Sequence, residues 1–568
     1  MRRLFRSLAD TRHVRAVSTL AIVALMVVGC GNVVGVSTSK GIPTGGPSGS
    51  ITISNEQGTT WSCGFNPFNA AQNYLSFGPT YEMLTFVDSL KNGATTPWLA
   101  QSYAWSTGDT TLTFTIRSGA KWTDGDPFSA QDVAYTFNLL KADPGIDLNA
   151  VWTVLTSVTV QNSNQVVFQF NKPSVPYFYY IADQTPIVPE HIWSNVGDPV
   201  TYGDTNPVGT GAYEMAACSP ANIKYTANPH YWQPGVPKIE TYNYPSFTSN
   251  PPANELLATG GAQWGSQFIP NIQSYYLSKS PNYHTWTPPF ANYSLFFNLK
   301  DPTVSNLAVR QAVAYAINRP QVSKIAEYGY EPAANQTDVV TPTYTSWLDS
   351  SLSSQYHDYS YDPARAISIL KTAGFTEKNG TFYTPAGQPL GFTIINLSGA
   401  TDTIASVNVI VEELKAVGIQ ATLELLSQST FVADLFDGNY QVGYYFENGG
   451  PSPYYELREI LDSANSAPIG QSAASNWERY SSTATDALLN EYAATTNVAT
   501  QHAIVDKLEG VMLADVPVIP VVEYVAWYQY DTADIGGWVT QKDPYAFPAA
   551  YILPDFGVVM DHLYMLKK

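Results

Sequence analysis

Leu99-Ala100-Gln101-Ser102-Tyr103-Ala104-Trp105, Leu112-Thr113-Phe114-Thr115-Ile116-Arg117, Trp122-Thr123-Asp124-Gly125 and Ser129-Ala130-Gln131-Asp132-Val133-Ala134-Tyr135 follow one another closely along the chain. Apolar and polar residues alternate through Leu112 to Ile116, the period of a half-buried strand. Asp124-Gly125 carries the composition of a tight turn, and Ser129 is placed to N-cap a helix starting at Ala130. The stretch therefore predicts a strand, a turn and a helix in succession.

The same alternation extends outward in both directions. Ile51 to Ile53 reads as a short strand, and Val158 to Val160 and Val166 to Phe170 flank Asn162-Ser163-Asn164 as a hairpin. Val309, Ala312, Val313, Ala316 and Ile317 form one apolar helical stripe that Pro320 stops. Ile404, Val407, Ile410, Val411 and Leu414 form another, closed by Gly418 and followed by a strand from Ala421 to Leu425. Helix and strand joined by short turns predict an α/β fold of mixed sheets flanked by helices.

The chain has 568 residues with 28 bases and 47 acids, a formal charge of −19. Such a surface repels phosphates, so nucleic acid is excluded as a partner. Hydrophobic residues at 44% and aromatics at 13% exclude a disordered chain. Charged residues reach only 13%, about half the ~25% of ordinary domains, so the surface must be built from neutral polar side chains.

Arg2, Arg3, Arg6, Arg12 and Arg15 precede an apolar run from Ala16 to Val28, too short to span a bilayer and typical of a secretory signal. The run ends in Val27-Val28-Gly29-Cys30, which resembles a bacterial lipobox with Cys30 as the lipidated residue. The alternative is a plain signal peptide with an incidental Cys. The expectation is a lipoprotein signal peptide at 1–29 and a Gly, Ser, Thr and Pro tether at 30–50, with the folded body held outside the cytoplasm at the membrane. Cys63 and Cys218 are the two remaining cysteines, and an oxidising compartment favours their pairing over two buried thiols.

No His-Glu-x-x-His, Gly-x-Ser-x-Gly or Walker sequence is present, and Ser37-Thr38-Ser39-Lys40 lies in the tether where nothing orients a nucleophile. The seven His are scattered without ligand spacing, so neither a metal nor a cofactor is expected. Glu412-Glu413 reads as a solvated helix face, and no catalytic residue is assigned.

Five segments together resemble the family 5 extracytoplasmic solute-binding proteins of ABC importers. The opening stretch is the first, and Gly209-Thr210-Gly211-Ala212-Tyr213 with Tyr231-Trp232 and Pro237-Lys238-Ile239 is the second. Val309-Arg310-Gln311-Ala312 to Asn318-Arg319, Tyr361-Asp362-Pro363-Ala364-Arg365-Ala366 to Ala373-Gly374-Phe375, and Val516-Pro517-Val518-Ile519-Pro520 complete the set in the family's order. The resemblance implies a two-lobed clamp with a hinge. One lobe would combine 50–85, 200–292 and 531–568 with an extra domain at 86–199, and the other would be 293–530. It also implies a monomer that closes on a solute and delivers it to a permease driven by ATPase subunits. An enzyme or receptor reusing the clamp is the competing class.

Peptide-binding relatives hold the ligand's amine with an acid in an Asp-rich turn. The matching stretch here is Tyr444-Tyr445-Phe446-Glu447-Asn448-Gly449-Gly450-Pro451, in which Glu447 alone could supply the charge. Trp264 replaces an acid the family commonly carries near the cleft. Trp264, Tyr293, Tyr444, Tyr445, Glu447 and Asn448 are therefore the candidate ligand-binding residues, with a peptide as first ligand and an oligosaccharide as second. The same aromatics could instead be core residues of a Tyr-rich protein. Gln131 and Asn318 also stand where the family usually has acids. Loss of carboxylates suggests acid surroundings and a stability nearly flat between about pH 3 and pH 6.

Overall fold

The computed structural model describes residues 46–567 except 57–59, 70–71, 73–75, 350, 353–357 and 399, and the side chains of 428 and 429. The signal, Cys30 and most of the tether lie outside the described residues. Three main sheets organise the rest, in the expected α/β arrangement. A seven-stranded sheet runs Tyr283–Thr285, Gln529–Asp531, Trp264–Gly265, Ser48–Ser54, Ile239–Pro245, Asn222–Ala227, Tyr213–Ser219. A five-stranded sheet runs Gln420–Leu426, Gly391–Leu397, Val442–Phe446, Pro289–Phe297, Val518–Val525. A four-stranded antiparallel sheet holds Ala100–Trp105, Thr111–Ile116, Gln165–Phe170 and Leu155–Asn162.

The opening stretch folds as its pattern dictates. Leu112, Phe114 and Ile116 point into the core of the four-stranded sheet while the threonines between them are half-buried. Ser129 caps the Ala130–Ala142 helix in a reciprocal box with Asp132, which satisfies two amides that the first turn leaves unpaired. The Asn162–Gln165 hairpin also forms.

Two chain crossings join the first sheet to the second, and they are paired with each other. Thr285 opposes Gln529, Pro289 opposes Val525, and between them the Ala526 amide donates to Pro288 O at 2.9 Å. An antiparallel two-strand ladder of this kind bends across its plane far more easily than along it, which suits a hinge.

Cys63 and Cys218 form a disulfide with Cα atoms 5.8 Å apart, fastening the chain before the four-stranded sheet to the edge of the seven-stranded one. Glu82, wholly buried, accepts from Tyr231 Oη at 2.9 Å and Trp232 Nε1 at 3.0 Å, and the Arg117 guanidinium lies 3.9 Å from the Trp232 ring. This contact binds the four-stranded domain to the seven-stranded sheet. In the second lobe Arg319 crosslinks three segments, donating to Pro520 O at 2.6 Å, Tyr359 O at 3.1 Å and Gln336 Oε1 at 2.8 Å.

Candidate cleft between the lobes

One apolar cluster bridges the lobes. It unites Val87 and Tyr179 on one side with Phe290, Phe446 and Tyr455 on the other, and Phe547 and Ile552 of the C-terminal segment belong to it. Tyr180, Tyr293, Tyr524 and Tyr551 pack against it while keeping part of their surface open. Tyr293 stacks on Tyr444 at 5.6 Å and leans on Tyr524 at 4.8 Å, so three strands of the five-stranded sheet contribute to one aromatic wall. At the hinge, Phe268 lies 5.4 Å from Trp527, and Tyr551 Oη accepts from the Trp527 amide at 3.0 Å.

The mouth of the cleft is closed along one edge. Tyr455 Oη on the Tyr454–Leu461 helix donates to Pro176 O at 3.0 Å, and Arg458 Nη2 donates to Tyr177 Oη at 3.2 Å. Beside them the Val175 amide donates to Ala493 O at 3.0 Å and Lys172 Nζ to Asn490 Oδ1 at 2.8 Å.

The sequence-derived candidates divide between wall and interior. Tyr293 is half-exposed on the wall, as expected of a contact residue. Trp264 is not: it is wholly buried among Tyr528, Trp538 and Phe556, and its indole donates to Pro548 O at 3.0 Å. Its strand is central in the sheet and covered by the C-terminal segment, so the residue is core. Tyr444 and Tyr445 are each 1% exposed. Tyr444 backs the wall behind Tyr293, and Tyr445 faces the opposite layer against Phe431 and Trp477. Neither offers a ring to a ligand.

Glu447 is likewise withdrawn, at 1% exposure, and sits beneath the turn it begins. Asn448 is half-buried, and its amide and side chain both donate to Glu459, at 2.9 Å and 3.2 Å. Glu459 is the acid beside Tyr180 and Arg458, with its carboxyl pushed up to about 7 by burial. It comes one turn into a helix whose placement no local pattern announces, and sequence reasoning missed it.

Acids are the other surprise of the interior. Gln131 is exposed and Asn318 serves as an N-cap, so these amides do not replace buried acids. Carboxyls are instead retained inside. Asp338 and Asp183 are pushed up to about 8 and Glu82 and Glu523 to about 7, desolvation being the leading cause in each. Burial drives Glu327, Glu331 and Asp402 upward behind the aromatic wall as well. A raised carboxyl holds its proton in the folded state after the unfolded chain has lost it, so the contribution of each of these groups is fully present below about pH 4 and is lost as pH rises toward 8. These groups add a contribution that favours acid to the nearly flat profile expected from the amides.

His191 does gain acidic neighbours: its Nε2 lies 2.8 Å from Asp124 Oδ2 and 3.7 Å from Asp126 Oδ2, an exposed grouping in the four-stranded domain far from the cleft in the fold. Asp124 and Asp126 share one turn, but His191 comes to them from a segment 67 residues away in sequence, which is why spacing gave no sign of it. Among the described residues no helix is long and apolar enough to cross a membrane.

The chain matches the bacterial extracellular solute-binding proteins, family 5 middle, over residues 94–467. It is 30% identical to the glutathione-binding protein GsiB of Shigella flexneri over 283 residues, 49% of this chain and 52% of that protein. The alignment thus spans about half the length of the curated relatives it matches. Among solved structures it is similar to a periplasmic oligopeptide-binding protein of Thermotoga maritima, with 26% identity and a TM-score of 0.84 over 91% of this chain and 99% of that one. The mannohexaose-bound form of the Thermotoga protein gives a TM-score of 0.81 at the same identity and coverage. AppA of Bacillus subtilis, in complex with a nonapeptide, shares the fold at 18% identity, with a TM-score of 0.74 over 92% of this chain and all 100% of that one. The match to the family covers most of the chain and the solved relatives superpose on both lobes: this protein belongs to the family 5 bacterial extracellular solute-binding proteins.

Proposed function

We propose that the protein captures a solute between its lobes outside the cytoplasm, closes on it through the paired crossings, and presents the closed form to an ABC permease. We place the lobe boundaries at the paired crossings, between Thr285 and Pro289 and between Val525 and Gln529, a few residues short of the expected 292/293 and 530/531; an extra domain at 86–199 and a lipid anchor at Cys30 complete the parts. It acts as a monomer and leaves its ligand chemically unchanged.

The ligand is an uncharged solute with flat apolar faces, and a short oligosaccharide takes precedence over a peptide. The observation that carries this is the position of Glu447: the acid matching the family's amine anchor is buried below the wall, while Tyr180, Tyr293, Tyr524 and Tyr551 border the inter-lobe cluster as partly buried side chains. Pyranose faces stack on such rings, and neutral hydroxyls need no compensating charge. The mannohexaose-bound relative supports the same choice. A peptide remains the second reading because Glu459 and Arg458 stand together at the mouth and could grip opposite termini.

Thermal shift at pH 4 with mannohexaose, other hexasaccharides and di- to nonapeptides decides between them. A ligand at a hundredfold excess over its Kd stabilises by about 2.7 kcal/mol. Stabilisation by sugars alone supports the first reading; stabilisation by peptides alone refutes it. Recovery of a cleaved ligand would refute binding without chemistry.

A further inference from the structure

The Tyr454–Leu461 helix has two faces with different tasks. Its outer face carries Tyr455 and Arg458, which hold Pro176 and Tyr177 of the other lobe. Its inner face carries Glu456, which is wholly buried and has no hydrogen-bond partner on either carboxyl oxygen. Three more buried acids lie within electrostatic reach of it, Glu447 at the end of the Val442–Phe446 strand, Asp338 from the segment before Tyr344 and Glu523 on the Val518–Val525 strand, and a fourth, Glu478 from the loop ahead of the Thr483–Ala493 helix, lies within reach of Asp338. Both carboxyl oxygens of Glu478, Oδ2 of Asp338 and Oε2 of Glu523 are also without partners, and the Ser294 hydroxyl is the polar group beside Glu447.

These groups act on one another. Glu456 feels Asp338, Glu447, Glu459 and Glu523, and Glu478 feels Asp338 and Glu459. The other groups facing them do little to neutralise them. Asn292 donates to Asp338 at 3.0 Å, Thr341 to Glu523 at 2.6 Å and Asn448 to Glu459 at 2.9 Å, while Ser294 and Tyr445 are uncharged. Of the cations, Arg479 lies beside Glu478 but its guanidinium is committed to Trp477 O and Phe436 O. Arg458 is paired with Asp462 at 3.3 Å. A carboxylate buried without a partner or counter-ion is too costly to persist, so the packed arrangement requires that these acids carry protons.

We propose that the helix is a proton-operated latch: with the acid cluster beneath it protonated it seats against the sheet and holds the two lobes together, and when the cluster ionises it lifts and the cleft opens. The joint is mechanical, because Tyr455 and Arg458 cannot keep their partners if the turn bearing Glu456 leaves the sheet. Closure in acid and opening toward neutrality would make capture a property of acid surroundings. That consequence for ligand rests on the solute-binding reading; the latch itself does not.

The test uses the mature chain without ligand. Small-angle scattering is recorded from pH 4 to pH 8, with near-UV circular dichroism on the same samples, for the wild type, Glu456→Gln, Glu447→Gln/Glu456→Gln, and Tyr455→Ala as the open reference. For each proton released on opening, the closed-to-open ratio falls about tenfold per pH unit above the titration. The wild type is expected to be compact at pH 4 and to expand to the dimensions of Tyr455→Ala by pH 8 with its aromatic dichroism retained. The Gln variants are expected to remain compact, and the single variant serves if the double one does not fold. Unchanged wild-type dimensions, equal expansion of Glu456→Gln, or expansion accompanied by loss of dichroism would each overturn the latch. Ligand-induced thermal shifts at fixed pH 4 report separately on the solute-binding reading.

Discussion

Replacing Glu523 by Gln removes one proton from the buried acids, together with its influence on Glu456. Its carboxyl is wholly buried, accepts the Thr341 amide and hydroxyl, each at 2.6 Å, and is pushed up to about 7 from 4.5 chiefly by desolvation. Below about pH 4 both folded and unfolded chains carry the proton, and the full stabilisation is present. Between pH 4.5 and 7 the unfolded chain ionises first, and the advantage of folding is lost at about 1.4 kcal/mol per unit, roughly 3 kcal/mol in all. Gln accepts from Thr341 through its carbonyl and has no proton to lose. Any packing or donor penalty it introduces is independent of pH and cancels in the comparison. Urea denaturation followed by circular dichroism at pH 4, 5, 6 and 7.5 should therefore show the wild type losing about 3 kcal/mol against Glu523→Gln across the series. Parallel profiles, or a wild type that gains on the variant as pH rises, would refute the claim that this interior is stocked with neutral acids.

Reduction of the Cys63–Cys218 bond, which closes a separation of 155 residues, should lower stability by about 5 kcal/mol on the chain-entropy estimate; urea midpoints with and without reductant measure it. Trp264→Ala should cost about 3–5 kcal/mol as a core cavity, yet leave ligand affinity of the folded protein unchanged by titration calorimetry. A loss of affinity at full folding would restore Trp264 to the cleft. Arg319→Lys cannot reproduce the fork to Pro520, Tyr359 and Gln336, and should lose about 2–3 kcal/mol in the same denaturation assay.

Local elements were legible wherever one face alone is buried. The Leu112 to Ile116 alternation and the Ser129 cap appear in the structure as written, because period and capping are settled within a few residues. The Val309 stripe likewise became a buried helix face, and Asn306 and Ile317 bound it as its ends. The family was legible for a related reason: its motifs are runs of such locally determined pieces in a fixed order, and the match over residues 94–467 accords with it.

The cleft was less legible. Every residue from Val442 to Phe446 is buried, since layers cover both sides of that strand. With both faces covered, alternation no longer says which side meets a ligand, and Tyr444 and Tyr445 looked as eligible as Tyr293. Glu447 and Trp264 failed for the same reason, as nothing within a few residues of either announces the layers that cover them.

What the chain order determined alone was the kind of element at each position, the two-lobed family pattern, and a surface poor in charge. What only the tertiary structure decided was which side chains the lobes share and which acids lie without counter-ions. Burial and electrostatic fields are sums over neighbours remote in sequence: burial raises the Glu456 carboxyl first and Asp338, Glu447, Glu459 and Glu523 add to it, and none of these is written in the segment that carries it except Glu459.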